Sequence, residues 1–211
     1  MLTVYSVLWG DKYPPDYVYR LKAMIERNLA VPFFFACITD QDLEGIHCIQ
    51  PICGYQGWWQ KLSLFEIADG PSLYFDLDTV ITGNIDYLAE YTDNVLAAPA
   101  NWGQSGHGGI QSSVMAWNGT LKEPYRVFDY EKDHKRLWGD QEFLTELYGD
   151  KFTKLPGIGS YKYHCRQGLP DWCKVVTFHG KPDYPEVGDT WVRECAFTPI
   201  DCPTKHTGQE A

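Results

Sequence analysis

Short apolar runs that stop at polar residues recur along the first half of the chain. Val4 to Leu8 runs into Gly10-Asp11, and Pro14-Pro15-Asp16 then opens a segment with apolar residues at Val18, Leu21, Ile25 and Leu29. Steps of three and four residues put those side chains on one helix face, so the pattern predicts strand, loop and helix. Phe33 to Ile38 is apolar without interruption and ends at Thr39-Asp40, as expected of a strand covered on both faces. A second helix is expected from about Trp58 to Ala68. Ser72 to Phe75 follows as another buried strand and ends at Asp76-Leu77-Asp78. This alternation predicts an α/β protein with a mostly parallel mixed sheet, helices on both faces and right-handed crossovers.

The second half is less regular. Strands are expected at Val95 to Ala98, Ser113 to Trp117 and Val175 to Phe178, a Gly-rich loop at Gly103 to Gly109, and a helix near Asp140 to Tyr148. No internal repeat and no linker divides the chain. One domain over residues 1–202 is expected, with a frayed polar tail at 203–211.

Composition narrows the possibilities. The 211 residues are 44% hydrophobic and 22% charged, which is ordinary globular usage. A net charge of −10 with no basic cluster argues against nucleic acid as a partner. Aromatic residues reach 15%, more rings than a core of this size needs, so some are expected on a binding surface. The longest uncharged stretch, Asn94 to Leu121, is broken by Asn101, Gln104, Ser105, His107 and Gln111, and Leu29 to Ile38 is too short to span a bilayer. No transmembrane segment is expected. Met1 to Gly10 has no basic n-region, which points to the cytoplasm. Seven Cys without a CxxC pair read as reduced structural thiols.

Ligands of open α/β sheets bind outside the carboxyl ends of the strands. Gly10-Asp11, Thr39-Asp40, Asp76-Leu77-Asp78 and His179-Gly180-Lys181 all lie at such ends. If the chain stays extended, Asp76 and Asp78 point into one crevice, and two close carboxylates call for a cation. Adding the imidazole of His179 makes a mixed oxygen and nitrogen shell that suits Mn²⁺ better than Ca²⁺, with Mg²⁺ also possible. Taken singly, each aspartate also reads as a turn or cap residue, and the histidine as a structural one.

Tyr74-Phe75-Asp76-Leu77-Asp78-Thr79-Val80 resembles the DxD motif of GT-A-type glycosyltransferases. Further matches follow in the expected order. Lys61, in Gly57-Trp58-Trp59-Gln60-Lys61-Leu62, resembles the basic helix residue that precedes the DxD strand. Gln111 to Asn118 resembles an NSG-containing strand, with Gln111-Ser112-Ser113 where Asn-Ser-Gly is usual. Gly139-Asp140-Gln141 resembles a DQ motif, and Phe178-His179-Gly180-Lys181-Pro182 a terminal HGxxKPW motif with shortened spacing. The match is closest to glycosyltransferase family 8 and its short bacterial and phage relatives, over residues 2 to 182.

The resemblance implies a nucleotide sugar, UDP-linked, as donor and an unknown glycan, lipid or protein as acceptor, with retained anomeric configuration. It implies a nucleotide-binding half at 1–100 and an acceptor-side half at 101–202. Leu8, Trp9, Gly10, Asp11, Tyr13, Asp40, Lys61, Asp76, Leu77, Asp78, Gly180 and Lys181 would bind the donor, with Tyr13 stacked on the base. Asp76, Asp78 and His179 would hold the metal, and Asp140 and Gln141 would lie at the reacting sugar. Trp102, His107 and Trp138 are candidates for stacking on an acceptor sugar, with core packing the default for Trp138. Two other readings stand beside this one. Asp76 and Asp78 also resemble the first motif of haloacid-dehalogenase-type phosphatases, although the late acidic motif fails at Leu144. A binding module without turnover is the third.

Overall fold

The computed structural model describes residues 1–93, 95–102 and 109–198. Strand β1 (Leu2–Leu8), helix α1 (Asp16–Asn28) and strands β2 (Phe33–Thr39) and β3 (His47–Ile49) come first. A 3₁₀ segment (Gly57–Ser63), α2 (Leu64–Ile67), β4 (Pro71–Phe75) and β5 (Thr79–Ile81) follow. Next are β6 (Ala97–Ala98), β7 (Val114–Asn118), α3 (Glu123–Val127), α4 (Tyr130–Arg136) and α5 (Asp140–Tyr148). The last elements are β8 (Thr153–Lys154), β9 (Ile158–Ser160), a π-helical turn (Tyr161–Cys165), β10 (Val175–Thr177) and α6 (Thr190–Phe197).

The main sheet has seven strands in the order β3-β2-β1-β4-β7-β6-β8. β1 runs parallel to β2 and to β4, and β4 runs antiparallel to β7. The chain therefore builds outward from β1 on one side and then returns to its other side with β4, which makes β1/β4 the topological switch point where such sheets bind ligands. A second sheet, β5-β10-β9, stands beside it.

Side-chain alternation along the strands loads both faces of the main sheet. Val4, Leu8, Leu73 and Phe75 join Leu21 and Ile25 of α1, together with Val80 and Val175 of the small sheet, in one core. Tyr5, Ala36, Ile38 and Tyr74 face the other way and pack with Phe65, Trp117 and Leu144. Helix α1 buries the stripe Tyr17, Val18, Leu21, Met24 and Ile25 and ends with Arg27 in its last turn, where a cation suits the helix dipole.

The expected α/β class and mostly parallel sheet are present, and three local expectations are corrected. The segment expected as one helix over 58–68 is a 3₁₀ stretch followed by a single α turn. Ser63 Oγ donates to the Gln60 carbonyl at 2.6 Å, a local bond that competes with a regular helical ladder. The strand expected over 95–98 covers only Ala97–Ala98. Asp76 to Asp78 is not extended either. The chain turns at Leu77 and Asp78, because β5 leaves the main sheet to pair antiparallel with β10.

Of the loop expected at Gly103 to Gly109, residues 103–108, with His107, lie outside the described residues, as do Cys202 and the tail 203–211. The six described cysteines are free thiols. No helix among the described residues is long and apolar enough to cross a membrane.

Candidate active site

A cavity of about 430 Å³ opens at the switch point. Its walls come from the loop after β1, the 3₁₀ segment, the β4–β5 turn, the start of β7, the start of α5 and the end of β10. The antiparallel pairing of β4 with β7 is what gathers these pieces. Phe75 lies opposite Val114, so the residues entering β7 stand beside those leaving β4, and the Asp76 N–H donates to the Ser113 carbonyl at 2.8 Å.

At the centre of the cavity Lys61 is buried between two carboxylates. Its Nζ lies 3.0 Å from Asp76 Oδ1, 3.3 Å from Asp140 Oδ2 and 3.4 Å from Ser112 Oγ. Burial alone disfavours a buried ammonium, but Asp140 and Asp76 outweigh it and hold Lys61 above its ordinary value. Asp76 also accepts the Tyr74 hydroxyl at 2.5 Å. Burial raises this carboxyl, and the Lys61 charge with hydrogen bonds from Tyr74, Lys61 and Ser113 overcomes that and keeps it below its ordinary value. Asp140 goes the other way. Burial lifts it, and the nearby charge of Asp76 adds to the lift against the pull of Lys61.

Asp78 is also buried, and it accepts the Tyr13 hydroxyl at 2.6 Å. Burial first and the charge of Asp76 second push its carboxyl up to about 7. Its backbone carbonyl accepts the Phe178 N–H at 2.8 Å, which brings the end of β10, with His179, up to the turn. The His179 Nε2 lies 2.7 Å from Ser160 Oγ, and burial followed by the Lys162 charge lowers its imidazole.

Asp76, part-exposed, and Asp78, buried and pushed toward neutrality by its burial and then by Asp76, line one wall of the cavity, a donor pair that a divalent cation satisfies, so the two fit a metal. His179 lines the same cavity. Among the described residues no group of three His, Cys, Asp or Glu side chains stands ready as a metal cluster.

Ten of the residues expected from the sequence line the cavity: Trp9, Tyr13, Lys61, Asp76, Leu77, Asp78, Asp140, Gln141, His179 and Gly180. Five do not. Leu8 is buried in the core below, Gly10 turns the chain with φ +64°, and Asp11 and Asp40 are exposed at the ends of β1 and β2. Lys181 is exposed and paired with Glu186. Trp138 is 85% exposed, which removes core packing as its role, and Trp102 stacks edge-on against His164.

The structure adds Lys12 and Trp58, and gives contacts to Ser112 and Ser113, which the sequence marked only as part of a motif. Lys12 lines the cavity with its Nζ 4.6 Å from the centre of the Tyr13 ring. Trp58 is half-exposed at the wall and lies against Gly139, where a Cβ would sit 3.0 Å from its Nε1. Ser112 and Ser113 reach Lys61 and Asp76 from the antiparallel strand, a proximity that no spacing along the chain announces. Trp58 carried a signal in its polarity, since an aromatic side chain next to Gly57 in a polar segment stands apart from the apolar runs.

No protein-family model matches the chain, and no curated protein matches it in sequence. Solved structures do match in three dimensions. The glycosyltransferase GlyE of Streptococcus pneumoniae TIGR4 superposes with a TM-score of 0.70 at 17% identity, covering 94% of this chain and 60% of that one. The galactosyltransferase LgtC, solved with donor and acceptor sugar analogues, gives 0.66 at 15% identity, covering 93% of this chain and 97% of that one. The bifunctional glycosyltransferase WbbM gives 0.60 at 10% identity, covering 87% of this chain and 46% of that one. The chain thus spans less than two thirds of GlyE and less than half of WbbM, and almost all of LgtC. At these identities the likeness is one of architecture, and the chain has the GT-A glycosyltransferase fold.

Proposed function

We propose that the chain transfers a sugar from a nucleotide sugar, UDP-linked, to a glycan, lipid or protein acceptor, using a divalent cation (Mn²⁺, or Mg²⁺) and retaining anomeric configuration. The observation that carries this reading is the placement of Lys61 between Asp76 and Asp140 at the switch-point cavity, with Asp78 beside them. That arrangement separates two kinds of work. Asp76 and Asp78 hold the cation, with His179 as third ligand once it gives up Ser160. When bound, the cation supplies Lewis-acid polarisation of the diphosphate.

In the reaction the bond between the anomeric carbon and the diphosphate oxygen breaks, and the nucleoside diphosphate leaves with the electron pair. The acceptor hydroxyl oxygen bonds to that carbon on the same face, and its proton passes to an oxygen of the departing diphosphate. Lys61 screens the charge that grows on the leaving diphosphate, a preorganised contact worth more in a partly dry cavity than in water. Trp9, with the ring of Tyr13, borders the nucleotide, and Leu8, Gly10, Asp11 and Asp40 shape that end. Gly180 and Lys181 act on the phosphates, which requires Lys181 to leave Glu186. Asp140 and Gln141 face the sugar. Residues 1–100 serve the nucleotide and residues 101–202 the acceptor side, apart from His179, Gly180 and Lys181, which return to the diphosphate.

Thermal unfolding tests the donor. A ligand at about 100 times its Kd stabilises by about 2.7 kcal/mol, so UDP with Mn²⁺ should raise Tm by about 5 to 10 °C, and UDP with EDTA much less. A shift that ignores the metal, or none with any nucleotide, rejects the reading. Asp76→Asn should lose both nucleotide binding and UDP release from the donor. Asp140→Asn should keep binding and lose turnover, because an interaction made in the transition state lowers kcat. Capture of beryllium fluoride at Asp76 would instead favour a phosphatase.

A further inference from the structure

Tyr13 lines the cavity and is held both at its ring and at its hydroxyl. Its ring faces Tyr17 of α1 at 4.8 Å between centroids, and its hydroxyl donates to Asp78 Oδ2 at 2.6 Å. Tyr17 is itself fixed. Its hydroxyl donates to Asp183 Oδ2 at 2.6 Å, its ring packs on Tyr184 at 4.9 Å, and Asp183 Oδ1 accepts the Tyr184 N–H at 2.7 Å. Asp183 and Glu186 close a reciprocal capping pair around this turn, so the far end of the chain of contacts is held by backbone. The contacts run from the segment after β10, through α1, to one oxygen of the β4–β5 turn.

A carboxylate has two oxygens and about four acceptor positions, so one hydrogen bond at Oδ2 fixes its rotation and leaves the remaining positions open. Groups that hydrogen-bond a ligating carboxylate set its orientation, and losing one commonly weakens metal binding. We propose that the Tyr13 hydroxyl, steadied by Tyr17 and Asp183, is a positioning group that orients Asp78 toward a divalent cation. This inference rests on the reading of Asp76 and Asp78 as metal ligands. It gives Tyr13 a task separate from the nucleotide: the ring serves the base, the hydroxyl serves the carboxylate.

Tyr13→Phe separates the two tasks, since it deletes the hydroxyl and keeps the ring. Mn²⁺ binding to the nucleotide-free protein, followed by electron paramagnetic resonance of free Mn²⁺, should weaken by about 10- to 100-fold. Tm in EDTA should fall only by what one hydrogen bond to a buried carboxylate is worth, because the packing on Tyr17 remains. Tyr17→Phe, one contact further away, should weaken Mn²⁺ binding in the same direction and by less. Equal or tighter Mn²⁺ binding by Tyr13→Phe overturns the inference, the tighter case meaning that the hydroxyl competes with the cation. Unaltered binding by Tyr17→Phe removes the steadying role of Tyr17 and Asp183. Asp78→Asn tells this failure from that of the underlying reading. If the unchanged protein and Asp78→Asn take up Mn²⁺ alike, the metal site itself is wrong and the role of Tyr13 falls with it.

Discussion

Lys61 is the residue whose removal should be felt most at the residue scale. It is the ammonium shared by Asp76, which is part-exposed at the cavity wall, and Asp140, which is buried. Lys61→Met therefore strands the buried carboxylate of Asp140 and leaves Asp76 to the water of the cavity; breaking a buried ion pair from one side costs about 3–5 kcal/mol, and the part-exposure of Asp76 puts this loss at the lower end. Urea unfolding should register that loss, and adding Asp140→Asn should return part of it. An unchanged urea midpoint in Lys61→Met would contradict the pairing. Asp86 offers a test against pH. It accepts the Ala30 N–H at 2.6 Å, the Val31 N–H at 3.3 Å and the Asn84 amide at 2.8 Å, and these bonds, with Asn84 the largest influence, lower its pKa. A lowered carboxylate contributes stability above its unfolded pKa and loses it as pH falls through the folded one. Asp86→Ala should thus lower Tm at pH 7, and the difference from the unchanged protein should close as pH drops below about 4. A gap that persists unchanged to pH 2 would show that the charge is not what holds the loop.

Elements were legible where hydrophobic period and burial coincide. The apolar runs of β1, β2 and β4 and the stripe of α1 were readable because each is buried on the faces its pattern announces. Helix α5 begins at Asp140 and ends at Tyr148, as its spacing predicts. β3, β5, β8 and β9 were not readable, since strands of two or three residues carry no period, and two of the three strands of the small sheet are among them; β10 was readable because its apolar run ends at a polar cluster. The site divides in the same way. Asp76, Asp78 and His179 stand out at strand ends, whereas Ser112 and Ser113 reach Asp76 and Lys61 through the antiparallel register of β4 with β7, a relation between distant segments. That register has a second consequence at Gly119, just past β7. Its N–H donates to the Gly70 carbonyl at 2.7 Å, and a Cβ there would lie 2.5 Å from the Ala68 carbonyl oxygen and 2.6 Å from the Asp69 Cα. Backbone cannot step aside as a flexible side chain does, so Gly119→Ala should cost about 1–3 kcal/mol in urea unfolding. Gly188→Ala, with nothing within 4 Å of the new atom, is the matched control and should cost far less.

For the whole molecule, the cavity ties the two sheets together. The main sheet ends on it through β1, β4 and β7, and the small sheet reaches it through the β4–β5 turn and the end of β10. Occupation by UDP and Mn²⁺ should therefore slow amide exchange in both sheets near Asp76 to Asp78 and near Phe178 to Gly180, and leave β3 and β8 at the far edges unaffected. Protection confined to one sheet would place the ligand elsewhere. The pairing of Lys61 carries a last consequence, for the order in which ligands enter. Lys12 and Lys61 line the cavity together with Asp76, Asp78 and Asp140, and Lys61 is already shared between two of the three acids. A diphosphate approaching this wall meets more negative than free positive charge, so in the proposed reaction the cation arrives first or rides in with the nucleotide. Binding is then an ordered sequence, and the apparent affinity for nucleotide follows the concentration of free metal ion.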